Sequence, residues 1–389
     1  MAEANGAGPQ EFDVTDEQRE LRAGLRRFAE RVHVEAAVRA AAESGEGFDR
    51  ASWSRLGGEL GALALAVPED LGGAGGSCVD QAIAAEELGA ALATGPLLGT
   101  VGLAVPALVV APASAERDAL LAGLSEGTRT AALVTPLFAP YDAATAAAVT
   151  AESGRLTGTV DQVPDAGAAD VLLVAAAGPD GPVLALADPG AAGVTVEPRG
   201  SLDLTRRVAR VRLDGVAGTV LATGDDADRA LRHAFRTAGA LLAAEQVGIA
   251  QHLLDRTVAY AKERLQFGRP IGSFQAVKHR CADMLVGVEH ARSAALHAAW
   301  AVGFGVDDPD LAVSIAQATC SEVCYRVAAE TIQLHGGIGF TWEHPAHLYY
   351  KRAIADAALL GSAEVHRERI SAAVLDTLDE VPAPKVATG

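Results

Sequence analysis

A single interruption in an otherwise continuous helical pattern constrains this chain most. From Leu231 to Glu263 and again from Phe274 to Phe304, apolar residues recur at helical spacing, as at Leu253, Leu254, Val258 and Ala261. The pattern breaks at Gly268-Arg269-Pro270, where the proline ring disfavours helix at the residue before it. Ser273 is the expected N-cap of the second helix. Two long helices joined by so tight a corner point to a bundle, and the corner itself gathers unusual chemistry. Arg264, Gln266 and Phe267 sit on its first arm, while Phe274, Gln275 and Lys278 open the next helix. A guanidinium fork, two amides, two aromatic faces and free helix N–H groups suit a flat anionic ligand such as a dinucleotide pyrophosphate. The plain alternative is a kinked helical hairpin whose polar residues face water.

The rest of the chain falls into three regions. Residues 1–10 read as a disordered tail. Residues 11–128 read as an N-terminal helical domain. Its segments are an amphipathic helix from Asp13 to Arg39, a second helix over Trp53–Leu60, the glycine-rich loop VPEDLGGAGG, and a helix over Asp80–Leu92. Glu86-Glu87 on that last helix reads as a solvated face. Near Thr130 the pattern changes to short apolar runs between turn residues: AALVTP, RLTGTVDQV, DVLLVAA, PVLALAD, GVTVEP and VARVRLDG. Residues 129–225 are therefore a β domain. Residues 226–380 return to helix, with further segments at Leu311–Leu334, Ala353–Leu360 and Val365–Leu378, and 381–389 read as a frayed tail.

With a net charge of −18 in 389 residues, nucleic acid and anionic membrane are poor partners. No apolar run is long enough to span a bilayer, and the polar, acidic start is unlike a signal peptide. The cysteines Cys78, Cys281, Cys320 and Cys324 contain no CxxC, and Cys320 and Cys324 read as buried free thiols, in keeping with a cytoplasmic location.

A second motif, QLHGGIGFTWEHPAHLYYKRA, begins at Gln333. Gln333 and His335 stand at a helix end, and Gly336, Gly337 and Gly339 let backbone approach a ligand closely. His335, His344 and His347 are irregularly spaced and lack a carboxylate companion, so no metal site is expected. Together with the Arg-x-x-Phe-Gly corner, the Val67-Pro68-Glu69 loop and Glu86-Glu87-Leu88-Gly89, this stretch resembles the acyl-CoA dehydrogenase family over nearly the whole chain. The resemblance implies an N-terminal all-α domain, a middle β-barrel or sandwich domain and a C-terminal four-helix bundle. It also implies FAD, an acyl-CoA substrate, an electron-transfer flavoprotein or similar acceptor, and an oligomer built as a dimer of dimers. In the family, the positions matching Arg264, Gln266, Phe267, Phe274, Gln275, Gln333, His335, Gly336 and Gly337 serve flavin, several of them across a dimer interface. Gly361-Ser362 matches the Gly-Thr pair that follows the usual base.

The family's chemistry is α,β-dehydrogenation of an acyl thioester: a carboxylate takes the α proton while the flavin accepts the β hydride. The usual base position is here Leu360, and the alternative upstream position is Ala238; neither side chain takes a proton. Glu245, seven residues beyond Ala238, and Glu364, one turn beyond Leu360, are the substitute candidates, with Asp356 a further one. The family's Thr-Glu-Pro-Gly-x-Gly-Ser-Asp segment becomes TPLFAPYD, Thr135–Asp142. Its Trp-Ile-Thr-Asn segment, which holds the flavin ring, becomes Gln162-Val163-Pro164-Asp165. Proline has no hydroxyl and no N–H to offer the ring. The residues kept are those that serve a partner's flavin; those lost serve the subunit's own. The resemblance therefore implies a subunit that completes a partner's FAD site in a heteromer. The alternatives are a competent homomeric dehydrogenase with a displaced base and, in another class, a cofactor-free scaffold or a flavin oxidase acting on something other than an acyl-CoA.

Overall fold

The computed structural model describes residues 14–142 and 148–375. The expected tails at 1–10 and 381–389 lie outside them, as does Asp13. The helical start is broken where one continuous helix is expected. Helix α1 (Asp16–Val32) opens on a reciprocal cap between Thr15 and Gln18 and ends at His33; Val34 is extended, and α2 (Glu35–Glu43) begins a new direction. Helix α3 (Arg50–Gly58) is capped by Asp49, and α4 (Cys78–Ala90) by a box between Ser77 and Asp80. A wide helical segment, Leu97–Ala104, runs into α5 (Val105–Val110), and α6 (Ala115–Ser125) completes this part.

The middle region is one eight-stranded sheet. Its strands are β1 (Ala131–Val134), β2 (Val149–Glu152), β3 (Arg155–Pro164), β4 (Val171–Gly178), β5 (Gly181–Ala187), β6 (Val194–Arg199), β7 (Val208–Ala217) and β8 (Thr219–Thr223). The order is β6-β7-β3-β2-β4-β5-β8, with β1 added in parallel to β4. Sequence pattern does not single out β2 or β8, which are short and half exposed. Alternation divides the sheet's residues between two cores. Ala132, Val134, Leu172 and Val174 join Val160 and Val211 within the curl of the sheet, whereas Leu133, Leu173 and Ala175 face the helices.

Helix α7 (Gly224–Glu263) spans the molecule at about 1.5 Å per residue. It packs with α8 (Gln275–Phe304) and α9 (Pro309–His335) in the C-terminal bundle, α11 (Ala363–Leu375) packs on α9, and α10 (Ala346–Asp356) closes one side. The helix expected at Ala353–Leu360 is shifted: it begins at Ala346 and stops at Asp356, leaving Leu360 in a left-handed turn with φ of 60°. Helices α4 and α7 cross almost backbone to backbone. A Cβ on Gly248 would lie 1.9 Å from the Glu86 carbonyl oxygen.

Candidate cofactor and substrate site

The corner between α7 and α8 is a two-residue hairpin. Leu265–Gln266 pairs antiparallel with Arg269–Pro270, and Phe267 and Gly268 between them have φ of 53° and 76°. Positive φ at both central residues is the primed-turn requirement, which glycine meets without steric cost and phenylalanine does not. The strained phenylalanine is nearly bare, at 91% exposed, and its ring meets Phe274 edge-on at 6.1 Å. The Arg269 guanidinium lies 4.1 Å from the Phe274 ring centroid. Arg264, Gln266 and Gln275 are exposed on the same corner. The expected cap at Ser273 is not made: Ser273 ends a short tight turn, and extended Phe274 takes the cap position without a side-chain bond. The first N–H groups of α8 therefore have no side-chain cap, in a place that can receive an anion.

The Gln333–Gly337 element presents a mixed picture. Gln333, Gly336 and Gly337 are exposed at the end of α9, with Gly336 at φ of 64°. His335 turns inward instead. Its Nδ1 donates to the Thr331 carbonyl at 2.7 Å, and its ring stacks on Tyr260 at 4.3 Å. A flavin contact at position 335 would have to come from backbone, because the imidazole is spent inside the protein. Gly361 is likewise buried; a Cβ there would lie 2.8 Å from Pro140. The Ser362 carbonyl accepts from the His366 N–H at 3.1 Å in the first turn of α11. Among the described residues no group of His, Cys, Asp and Glu side chains could hold a metal, and Cys320 and Cys324 are buried free thiols.

Both expected base positions lie in apolar core. Leu360 is 2% exposed, its N–H donates to the Leu137 carbonyl at 2.5 Å, and Ala238 is fully buried opposite Gly102. The cavity beside Leu360, between Tyr141, Phe235 and Gly239, is only about 30 Å³. Glu364, on the first turn of α11, is exposed and faces solvent. Glu86 and Glu87 are a correction: they are not solvated. Arg22 donates to both at 2.8 Å, Arg26 donates to Glu87, Arg292 reaches Glu86, and Glu87 is only 5% exposed. Burial alone would raise the Glu86 carboxyl, but Arg22 and Arg292 outweigh it and hold it below the usual carboxylate range.

Glu245 is not free to act as a base. It accepts from Arg206 Nη2 at 2.7 and 2.8 Å and also from Arg352 Nη1. Arg352 Nε donates to Asp203 at 2.5 Å, and its Nη2 donates to Thr205 at 2.6 Å. Arg206 Nη1 lies 3.4 Å from Asp356, neither of whose carboxyl oxygens has a hydrogen-bond partner among the described residues. Asp203, Arg206, Glu245, Arg352 and Asp356 are all buried. Burial alone would raise Glu245; its two arginines outweigh that and hold it ionised. Burial pushes Asp356 up to about 8, against the pull of Arg206 and with Glu245 adding to the rise. Sequence pattern could not assemble this network, because its members come from the loop before β7, from mid-α7 and from α10.

The network adjoins the segment expected to hold a flavin ring. Gln162 and Asp165 adopt φ of 58° and 63°, and the β3–β7 ladder slips between Val160 and Val163. Pro164 is buried in protein. Asp165 accepts from the Gly99 N–H at 2.9 Å, and its own N–H donates to the Arg207 carbonyl. Burial pushes Asp165 up to about 6. An opening of about 260 Å³ beside it lies between the 198–208 loop and the N-terminal helices. The residues of the outer corner thus fit a flavin dinucleotide, whereas the surroundings of Pro164 and Leu360 do not fit a flavin ring.

Two family descriptions match this chain: acyl-CoA dehydrogenase, N-terminal domain, over residues 15–128, and acyl-CoA dehydrogenase, C-terminal domain, over residues 229–375. Acyl-CoA dehydrogenase IpdE2 of Mycolicibacterium smegmatis is 38% identical over 361 residues, covering 93% of this chain and 100% of that protein. Its Mycobacterium tuberculosis namesake is 40% identical over 344 residues, covering 88% and 92%. Among solved structures, the ChsE4-ChsE5 complex from Mycobacterium tuberculosis superposes with a TM-score of 0.84 at 30% identity, covering 96% of this chain and 100% of that one. A variant of the Tcur3481-Tcur3483 steroid ACAD gives 0.84 at 31%, covering 94% and 100%. Helices, sheet and helical bundle agree with the architecture implied by the sequence. The chain belongs to the acyl-CoA dehydrogenase family.

Proposed function

We propose that this chain acts in flavin-dependent α,β-dehydrogenation of an acyl-CoA as the subunit that completes a partner's FAD site, without supplying a base of its own. One observation carries the reading: the exposed Arg264–Gln275 corner faces outward fully equipped, while Leu360 and Ala238 sit in closed apolar core. Large apolar side chains also stand exposed on the corner and nearby elements, among them Leu265, Phe267, Leu285, Val286, Phe340 and Trp342. Such exposure marks an interaction surface and supports an oligomer.

Bound at that corner, FAD would supply the hydride acceptor for the partner's reaction. The work of this chain's own residues is binding. The Arg264 guanidinium and the uncapped N–H groups of α8 offer donors to the diphosphate, Gln266 and Gln275 offer amides, and the glycines at 336 and 337 allow close backbone approach. The ChsE4-ChsE5 complex and the steroid ACAD support a two-chain assembly and a bulky polycyclic acyl group as the substrate class.

The test is to count flavin in the purified chain and in a co-purified complex with a family homologue that carries the glutamate. Little flavin and no turnover alone, with about one FAD per pair of unlike chains and turnover together, is the expected result. About one FAD per chain with turnover in the single chain overturns the reading. A second reading, a homomeric dehydrogenase with a displaced base, has no support from Glu245 and rests on exposed Glu364 and on Asp356, which is fully buried.

A further inference from the structure

We infer that the buried network of Asp203, Arg206, Glu245, Arg352 and Asp356 stands in for a flavin ring: it ties the middle sheet to the bundle and keeps this chain's own half-site shut. The inference rests on the proposed subunit role and goes beyond it, since a subunit without a base need not exclude flavin.

The argument starts from position. Asp203, Thr205 and Arg206 belong to the segment between β6 and β7, which pairs with the Pro164–Asp165 end of β3. Glu245 lies in mid-α7, and Arg352 and Asp356 lie on α10. Every close contact between the guanidinium and carboxyl groups of these side chains therefore crosses from the sheet to the bundle or links two bundle helices. A ring held between the 162–165 segment and the bundle would lie against this seam. Here the partners across the seam are direct: Arg352 alone reaches Asp203, Thr205 and Glu245.

The second observation is the way surrounding segments close. Asp165 folds back to bond the Gly99 N–H, and a Cβ on Gly99 would lie 2.9 Å from that carboxylate. Leu137 bonds Leu360 through backbone, and Tyr141 donates to Asp228 at 2.9 Å while packing on Phe235. Both segments implied to touch a flavin thus bond within this chain, leaving about 30 Å³ beside Leu360; the opening of about 260 Å³ beside Asp165 faces the N-terminal helices, and no bundle residue lines it.

The third observation is the cost of such a device. Buried ion pairs seldom add stability over apolar packing, because desolvation offsets their attraction. What they supply is geometry, since a carboxylate shared by two guanidinium groups permits few alternative arrangements. That is the requirement for holding a sheet on a bundle where no cofactor lies between them.

Hydrogen exchange on the purified chain tests the inference, with free FAD in large excess as the probe. Amides of 203–206 and 352–356 should exchange slowly without flavin and be unchanged by its addition. Arg352→Gln should speed exchange in both segments by on the order of a hundredfold, as expected when a buried pair loses one member. It should leave the 264–275 corner unaltered. Fast exchange of 203–206 in the unaltered chain, or protection of that segment by FAD, would overturn the inference. This wild-type measurement stands even if the variant fails to fold. The subunit role fails separately, if the complex with the glutamate-bearing homologue gains no flavin.

Discussion

Replacing Arg352 with methionine removes the guanidinium while keeping much of the aliphatic volume. Three partners lose a donor at once: Asp203, Thr205 and Glu245. Asp203 and Glu245 are buried, so water does not replace the lost bonds without opening the seam. Glu245 keeps Arg206, whereas the Asp203 oxygen facing Arg352 has no second cation within ion-pair distance among the described residues. Breaking a buried pair from one side costs about 3–5 kcal/mol. Because Thr205 also accepts from Arg352, the expected loss lies toward the upper part of that range. Urea unfolding at neutral pH, followed by circular dichroism and by tryptophan fluorescence, measures it. A loss below about 1 kcal/mol, the size of an exposed pair, would refute the reasoning by showing that water already reaches the seam.

Other outcomes follow from the same geometry. Asp356 holds a proton in the folded chain that it releases when unfolded, so its contribution is fully present below about pH 4 and is lost as pH rises toward about 8. Asp356→Asn should flatten that decline, and a pH series of melting temperatures for both proteins would show a gap in the variant's favour that widens from about pH 4 to about pH 8 and levels off above it. Gly248→Ala places a methyl against the Glu86 carbonyl and should cost about 1–3 kcal/mol in chemical denaturation, through overpacking at the α4–α7 crossing. Leu360→Glu should produce no turnover in the isolated chain, because the cavity of about 30 Å³ beside it has no room for an acyl chain and a flavin ring; dehydrogenase activity from the single mutant chain would contradict this.

Periodicity and turn chemistry carried much of the fold. The α7–α8 corner, the return to strands near Thr130 and the stop at Gly336 are local signals, each set by a few neighbouring residues. Three of the misses share a cause. The break at His33–Val34, the shift of α10 to Ala346–Asp356 and the burial of Glu86-Glu87 depend on what packs against those residues from elsewhere in the chain. Glu86 and Glu87 have the composition of a solvated face and become interior only because Arg22, Arg26 and Arg292 are brought over them.

For the site, the division is similar. The sequence by itself determined which side chains the Arg264–Gln275 corner carries and that Leu360 and Ala238 have no ionisable group, since both follow from residue identity. It left Glu245 open as a substitute, because a carboxylate's role depends on its partners and not on its spacing. Only the tertiary structure decided that question. It set Arg206, 39 positions before Glu245, and Arg352, 107 positions after it, on the same carboxylate. It also turned His335 inward and buried Pro164. Contacts over such separations are fixed by the packing of sheet on bundle, which no local pattern records.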